Sequence, residues 1–223
     1  MQRTSLTRLA GKESTDRAAL DRLLDEVWLG HVAIVRDGAP LVVPTAVARW
    51  NDRVLFHGST GSPWMRAIAV GADVCLTVTA VDAVVVARSA FESSVQYRSA
   101  VLFGTCRVLA GQEKVAALDV LVDRLIPGRV AEVRASTAKE LAATVVLALP
   151  IEEWSLKVSV GWPDDAAEDL EGPSWAGIVP VRTGYGDPIP APDLRAGIPA
   201  PDSVATLARR TVAGGLAGRS ASL

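Results

Sequence analysis

The amino-acid sequence predicts a mainly β protein with peripheral helices, an α+β chain whose strands form a closed or half-closed antiparallel barrel. Three observations lead to this prediction. About six or seven β-rich runs follow one another along the chain. Short polar turns such as Asp37-Gly38 and Asn51-Asp52 separate the early ones. The helical patterns occur as occasional connections, so a doubly wound parallel sheet is the weaker interpretation.

The first half of the chain begins with a helix and continues with strands. Leucines recur at intervals of three or four between Asp16 and Trp28, which predicts a helix with Thr15 as its N-cap. The elements predicted next are strands over 31–35, 41–50 and 53–56, a short helix over 63–70, and strands over 73–79 and 83–88 that pair around Val81-Asp82.

The second half continues this pattern and then changes in composition. The elements predicted here are a strand over 95–109 with a bulge at Gly104, a helix over 112–126, a helical turn over 139–142 and a strand over 144–154. Six prolines fall between Pro180 and Pro201. We therefore expect a tail that is either extended over the fold or disordered.

Composition excludes several classes of function. The 223 residues include 23 basic and 25 acidic side chains without a basic cluster, which argues against nucleic-acid binding. No apolar run approaches the ~20 residues of a membrane span, and the charged N-terminus has no signal-peptide pattern. We expect a cytoplasmic protein. Two cysteines and two histidines without ligand-like spacing predict neither a disulfide framework nor a metal site.

The segment HGSTGS, residues 57–62, lies between a predicted strand and a predicted helix. One interpretation is a plain connection in which Ser62 caps a helix that begins with Pro63. The other is a phosphate site, because a helix N-terminus offers free N–H donors and a partial positive charge. The pattern is neither a P-loop nor GxGxxG, and both interpretations stay open at this point.

A second candidate is Arg98, which lies within a β-rich run. An arginine there needs an anion or solvent, and its planar guanidinium suits phosphate or carboxylate. A solvent-facing arginine on an edge strand is the equally weighted alternative. No GxSxG nucleophile motif is present, so a hydrolase is disfavoured.

Six motifs in order carry a resemblance to a known family. They are GHVAIV (30–35), PLVVPT (40–45), LFHGSTGS (55–62), VCLTVTAVDAVVVARSAF (74–91), YRSAVLFG (97–104) and WAGIVP (175–180). The chain resembles pyridoxamine 5′-phosphate oxidase-like, FMN-binding split-barrel proteins, of the subgroup that includes nitroimidazole-resistance proteins. The resemblance covers about residues 15–182, and we take residues 183–223 as a Pro/Gly/Ala-rich C-terminal extension.

The resemblance implies a six-stranded antiparallel split barrel that forms a homodimer with FMN at the subunit interface. The implied cofactor contacts are Pro44, Thr45, Ala46 and Val47 along the flavin ring, His57, Gly58, Ser59, Thr60 and Ser62 around the ribityl and phosphate groups, and Arg98 and Ser99. His57, with an ordinary pKa near ~6.5, is the candidate catalytic proton donor. An oxidoreductase acting on a small planar or electron-poor substrate through bound flavin is the leading prediction.

Two departures from the family pattern bear on turnover. Pro63 stands where relatives commonly have a basic residue, and Glu92-Ser93 stand where relatives often have tandem histidines. The alternatives are a flavin- or haem-binding carrier or sensor without turnover, and a tailoring enzyme of specialised metabolism. Haem is the less favoured cofactor, because only His31 and His57 could supply a histidine ligand.

Overall fold

The structure is a computed structural model that describes residue 4 and residues 10–212. The strands are β1 (Glu13–Ser14), β2 (Leu29–Arg36), β3 (Ala39–Ala46), β4 (Ala48–Arg49), β5 (Arg53–Ser59), β6 (Asp73–Val86), β7 (Ser94–Thr105), β8 (Arg107–Val108), β9 (Thr144–Pro150), β10 (Glu153–Ser159), β11 (Gly177–Pro180), β12 (Thr183–Gly184) and β13 (Thr211–Val212). The helices are α1 (Arg17–Glu26), α2 (Pro63–Ala69), α3 (Gly111–Leu125), α4 (Ala138–Ala143) and α5 (Asp202–Ala208).

The strands form two main antiparallel sheets. The larger sheet has the order β1-β10-β7-β6-β2-β3, with β11 also paired to β6, and the smaller has the order β4-β5-β9-β8. A separate ribbon joins β12 to β13. Neither main sheet closes on itself, so the architecture is a split barrel with peripheral helices. The predicted mainly antiparallel α+β fold is confirmed.

The main core lies where α1 and α2 pack against the two sheets. Leu20, Leu23 and Leu24 project from one face of α1 and are buried, as their spacing predicts. The helix begins one residue later than predicted, because Asp16 rather than Thr15 is the N-cap. The Asp16 carboxylate accepts the N–H of Ala18 at 2.9 Å.

Four strand boundaries differ from the prediction, and the first is that the run 41–50 is interrupted at Val47, between β3 and β4. The two strands predicted to pair around Val81-Asp82 are one continuous strand, β6, with a register shift between Val81 and Ala83. Asp82 in the bulge is buried and bound to Arg98, so the polar residue does not start a turn. The run 144–154 divides into β9 and β10, and the run 95–109 breaks at Cys106 rather than at Gly104.

The C-terminal segment lies over the fold within the described residues. β11 extends along β6, and α5 is tied to the 3₁₀ turn Arg129–Glu132, where the Glu132 carboxylate accepts the N–H (3.0 Å) and the hydroxyl of Ser203. These contacts match the extended alternative for residues up to 212. Among the described residues, no helix is both long and apolar enough to cross a membrane.

Candidate functional site

The loop 57–62 joins the end of β5 to the start of α2, and core packing sets its course. The preceding residues 54–56 are buried, and β5 pairs with β9 along its length. At Gly58 the backbone passes close to α2: a Cβ there would lie 2.9 Å from Cε of Met65, which is fully buried. The glycine therefore lets α2 pack directly against the end of the strand.

Hydrogen bonds within the protein hold the loop in place and engage some of its N–H and hydroxyl donors. Ser59 Oγ accepts the N–H of Gly61 at 3.1 Å, and Ser59 O accepts the N–H of Ser62 at 3.0 Å. The N–H and the hydroxyl of Thr60 both donate to the Ala143 carbonyl, at 2.9 and 3.3 Å. The Ser59 hydroxyl thus keeps its own proton for an added acceptor, whereas that of Thr60 is engaged within the protein.

Helix α2 begins at Pro63, with Ser62 as N-cap, as predicted. The Ser62 side chain makes no capping hydrogen bond and is free to bind elsewhere. Arg66, one turn into the helix, is exposed and enters none of the ion pairs among the described residues. Sequence reasoning noted the missing base after Ser62 and overlooked Arg66, although a spacing of four places it one turn from Ser62.

His57 is the first residue of the segment 57–62 and lies on β5 opposite Val146. The residue is exposed, yet partial burial of its ring by the surrounding protein lowers the pKa of His57. The imidazole is therefore neutral at neutral pH. Its role as a catalytic proton donor stays a prediction, and this lowered pKa leaves less of the protonated form.

The four residues expected along a flavin ring do not share one environment. Pro44, Thr45 and Ala46 lie on β3, the edge strand of the larger sheet, and Pro44 is exposed. Val47 is buried, and its Cγ1 lies 2.9 Å from where a Cβ on Gly30 would stand. The Val47 side chain therefore belongs to the core, which leaves its backbone for any contact with a cofactor.

Arg98 is held by two carboxylates. Its Nε and Nη2 donate to Asp82 at 2.9 and 2.7 Å, and its Nη1 and Nη2 donate to Glu26 at 2.7 and 2.9 Å. These partners raise the pKa of Arg98. The group links α1 to the β6 bulge, so an added phosphate would have to compete with two carboxylates. Phosphate binding by Arg98 stays a prediction. In the structure, the guanidinium holds α1 to β6 through Glu26 and Asp82.

The structure brings two of the three predicted groups together. β3, which carries Pro44–Ala46, contacts β5, the strand that carries His57. Arg98 and the half-buried Ser99 lie on β7, separated from β3 by β6 and β2. The loop and β3 thus form one candidate site, and Arg98 and Ser99 belong to another part of the sheet.

A cavity that the sequence did not indicate lies where α1 leads into β2. It has a volume of about 280 Å³, and we call it the junction cavity. Its lining includes Glu26, Trp28, Leu29, Val81 and Thr183. Trp28 and Leu29 are 41% and 42% exposed, so an indole ring and apolar side chains face an open pocket. Such a lining suits a planar ligand.

No metal site accompanies these features in the described part of the chain. Residue 4 and residues 10–212 hold no group of three or more His, Cys, Asp or Glu side chains arranged for a metal ion. Burial raises the pKa of the Cys106 thiol to about 12, so this cysteine stays protonated.

The split sheet, peripheral helices and strand-to-helix loop define the chain as a split-barrel protein. Residues 16–158 match the model of the family described as pyridoxamine 5′-phosphate oxidase. The chain belongs to this family, and the predicted relationship is confirmed. No curated protein matches the chain.

Solved structures extend the comparison. An FAD and heme binding protein from Mycobacterium smegmatis is 57% identical, with a TM-score of 0.85 over 88% of this chain and 97% of that one. The flavocytochrome Anf3 from Azotobacter vinelandii is 36% identical, with a TM-score of 0.86 over 93% and 97% of the two chains. A candidate 5-nitroimidazole antibiotic resistance protein from Bacteroides thetaiotaomicron shares the fold at 18% identity, with a TM-score of 0.57 over 66% and 86%.

Proposed function

We propose that this protein binds a flavin and uses it for electron or hydride transfer. The observation that carries the proposal is the 57% identity, over 88% of the chain, to a protein that binds FAD and heme. The flavin would supply the redox chemistry, and the protein would position it and set its electrostatic surroundings.

The loop 57–62 fits the phosphate end of a flavin. The hydroxyls of Ser59 and Ser62 can donate, and the exposed Arg66 supplies a positive charge near the helix start. The backbone of β3 next to β5 offers an edge along which the ring system could lie. Binding by these residues is the arrangement that the family resemblance implies, with Arg66 added from the structure.

FAD is the flavin that we favour over FMN. The sequence resemblance alone implied FMN, whereas the structure 57% identical to this chain binds FAD. Flavin released from the purified protein by heat and separated by chromatography distinguishes the two. FAD as the main species supports this choice, and FMN as the main species contradicts it while leaving flavin binding intact.

Haem is proposed as a second cofactor. The two structures that are 57% and 36% identical to this chain are a heme-binding protein and a flavocytochrome. We assign the haem ligand to His57, whose lowered pKa keeps the imidazole neutral, the form that coordinates iron. The protonated thiol of Cys106 is a poor ligand. A Soret band that His57→Ala abolishes and His31→Ala leaves supports this assignment; the opposite pattern overturns it.

Catalysis is a further step of the proposal. Anaerobic reduction by NADH or NADPH, followed by reoxidation with small electron-poor or planar compounds, tests for turnover. A flavin that reduces and transfers electrons supports an oxidoreductase. A flavin that none of these donors reduces favours the carrier or sensor alternative.

A homodimer with flavin at the subunit interface is the assembly that we propose. Val35 and Val42, on the adjacent strands β2 and β3, are 72% and 57% exposed, and β3 is an edge strand. Light scattering after size exclusion measures the mass: twice the 23.4 kDa chain is expected, and a monomer at micromolar concentration contradicts it. The cytoplasmic location stays a prediction.

A further inference from the structure

A second cavity lies at one end of the larger sheet, where β7 begins and β10 ends. Its volume is about 260 Å³, and we call it the sheet-end cavity. Its lining includes the polar or aromatic residues Lys12, Glu92, Gln96, Ser159 and Trp162. It shares no lining residue with the junction cavity, and none of the residues 57–62 line it. Neither the flavin site nor the proposed haem ligand therefore accounts for it.

Gln96 has a buried side-chain oxygen without a hydrogen-bond partner. The residue is 2% exposed, and its Nε2 donates to the Gly161 carbonyl at 2.5 Å. Its Oε1 is buried, and no donor of the described residues reaches it. Turning the amide over would place two oxygens against each other at Gly161 and leave the nitrogen unpartnered instead. Because native proteins rarely leave such an atom unsatisfied, the cavity lacks an N–H or O–H donor.

Lys12 brings hydrogen-bond donors to the same cavity. Its Nζ donates to Ser159 Oγ at 3.2 Å, and Ser159 is itself buried. An ammonium group has three N–H donors, and within residues 10–212 Lys12 makes this hydrogen bond and no ion pair. The cavity thus presents an acceptor on Gln96 that needs a donor, together with N–H groups on Lys12 that can bind an acceptor.

Charge-assisted and backbone hydrogen bonds hold the walls of the cavity in place. The N–H and Nη1 of Arg88 donate to Asp165 at 2.6 and 2.8 Å, and the Asp165 side chain is buried. This ion pair fixes the segment that follows Gly161, whose φ of 131° is a conformation that side chains rarely adopt. The N–H of Glu92 donates to Ser89 Oγ at 3.2 Å. Glu92, which departs from the family pattern, is therefore held at the cavity by its own loop.

We propose that the sheet-end cavity binds a small planar molecule with an N–H donor next to a carbonyl acceptor, as in a primary carboxamide or a ring lactam. The ligand N–H donates to Gln96 Oε1, and the ligand carbonyl accepts from Lys12 Nζ. The indole of Trp162, 73% exposed, offers a face for a planar ring. The carboxylates of Glu92 and Asp164 in the lining disfavour an anion. The volume lies just below the roughly 300–1,000 Å³ of most ligand pockets, which suits a single ring.

Calorimetric titration of the full-length protein with matched ligands tests the site. The pairs are nicotinamide against N,N-dimethylnicotinamide and uracil against 1,3-dimethyluracil, and the second member of each pair lacks the N–H donor. We expect the parent to bind the N–H form of at least one pair roughly tenfold more tightly than its methylated form, because the methylated form leaves a buried acceptor unpaired. In Gln96→Met that difference should fall to about twofold or less, which a purely steric effect of the methyl groups would not produce.

Two further variants test the rest of the site without touching its buried amide. Lys12→Met and Trp162→Ala should each weaken binding several-fold, whereas the controls Lys139→Met and Trp175→Ala, which change exposed residues outside the cavity lining, should not.

The outcomes also distinguish the two sources of the ligand chemistry. Preference for nicotinamide identifies a carboxamide, and preference for uracil identifies a lactam. Equal affinity within both pairs, no binding at millimolar concentration, or binding that Lys12→Met and Trp162→Ala leave unchanged overturns the proposal. These two variants decide the outcome if Gln96→Met does not fold. The site does not depend on flavin, so the cofactor content of the same preparation tests the proposed function separately.

Discussion

Individual side chains in this protein divide between holding the fold and remaining available to a ligand. Arg98 belongs to the first group, since two carboxylates occupy it. Arg66 and the Ser59 hydroxyl belong to the second. The sequence could identify all three as polar candidates, but only the partners within the fold separate a structural cation from a binding one.

Replacing Arg98 should reduce stability before it affects any ligand. Arg98→Ala leaves Glu26 and Asp82 without their cation, and breaking a largely buried ion pair costs about 3 kcal/mol. Urea unfolding of the cofactor-free protein measures this loss. Arg17→Ala, whose partner Asp52 is exposed, is the control and should cost no more than ~1 kcal/mol. Unchanged stability together with lost flavin would instead assign Arg98 to phosphate.

His57 should make the protein less stable in mild acid. Its folded-state pKa lies below the unfolded value, so the unfolded chain binds the proton more tightly. The stability is present above the unfolded pKa and is lost as pH falls from ~6.5 towards the folded pKa. Melting temperatures of the parent and His57→Gln between these limits measure the effect; His31→Gln is the control. A profile that His57→Gln does not flatten contradicts the lowered pKa.

Among the helices and strands, hydrophobic periodicity was sufficient to predict α1, whereas contacts between distant residues determined the extent of β6. The leucine spacing predicted α1 well, because one buried face requires it. The prediction of two strands within residues 73–88 was wrong. Aspartate is common in turns, but Asp82 lies within a strand, where it is paired with Arg98. That ion pair could not be found from the sequence, since Asp82 and Arg98 are 16 residues apart and meet only across the paired strands.

Gly30 should tolerate alanine poorly, although it lies in a regular strand. A Cβ there would meet Val47 Cγ1 at 2.9 Å, and the stiff, buried valine has little room to move. We expect Gly30→Ala to lower the free energy of unfolding by about 1–3 kcal/mol, as overpacked core substitutions do. Thermal unfolding compares it with Gly184→Ala, whose new Cβ would lie in open space. Similar melting temperatures for the two variants would contradict this close packing.

At the scale of the whole molecule, the C-terminal segment contacts the family core: β11 pairs with β6, and Ser203 binds Glu132. The resemblance predicted the split barrel, because its motifs cover the strands and their order. It did not predict that the segment after residue 182 would contribute Thr183 to the lining of the junction cavity. The domain boundary at 182/183 stays a prediction.

The segment after residue 182 should open more often when the hydroxyl bond of Ser203 to Glu132 is removed, although the backbone N–H of residue 203 still binds that carboxylate. Ser203→Ala removes the hydroxyl that donates to Glu132, while Ser155→Ala changes a serine on β10 as the control. Trypsin should then cleave after Arg195 several times faster in Ser203→Ala than in either the parent or Ser155→Ala, because local opening controls access. Mass spectrometry of the fragments measures the rates, and equal rates in all three proteins would show that other contacts hold the segment.

Flavin binding is the central claim, and the cofactor content of the purified full-length protein tests it most directly. Protein incubated with FAD and freed of excess by gel filtration should retain close to one flavin per chain, with the visible absorption bands of an oxidised flavin. The same treatment of Ser59→Ala with Arg66→Gln should retain much less while the melting temperature of the ligand-free protein stays near that of the parent. A parent protein that retains neither FAD nor FMN after this treatment contradicts the account.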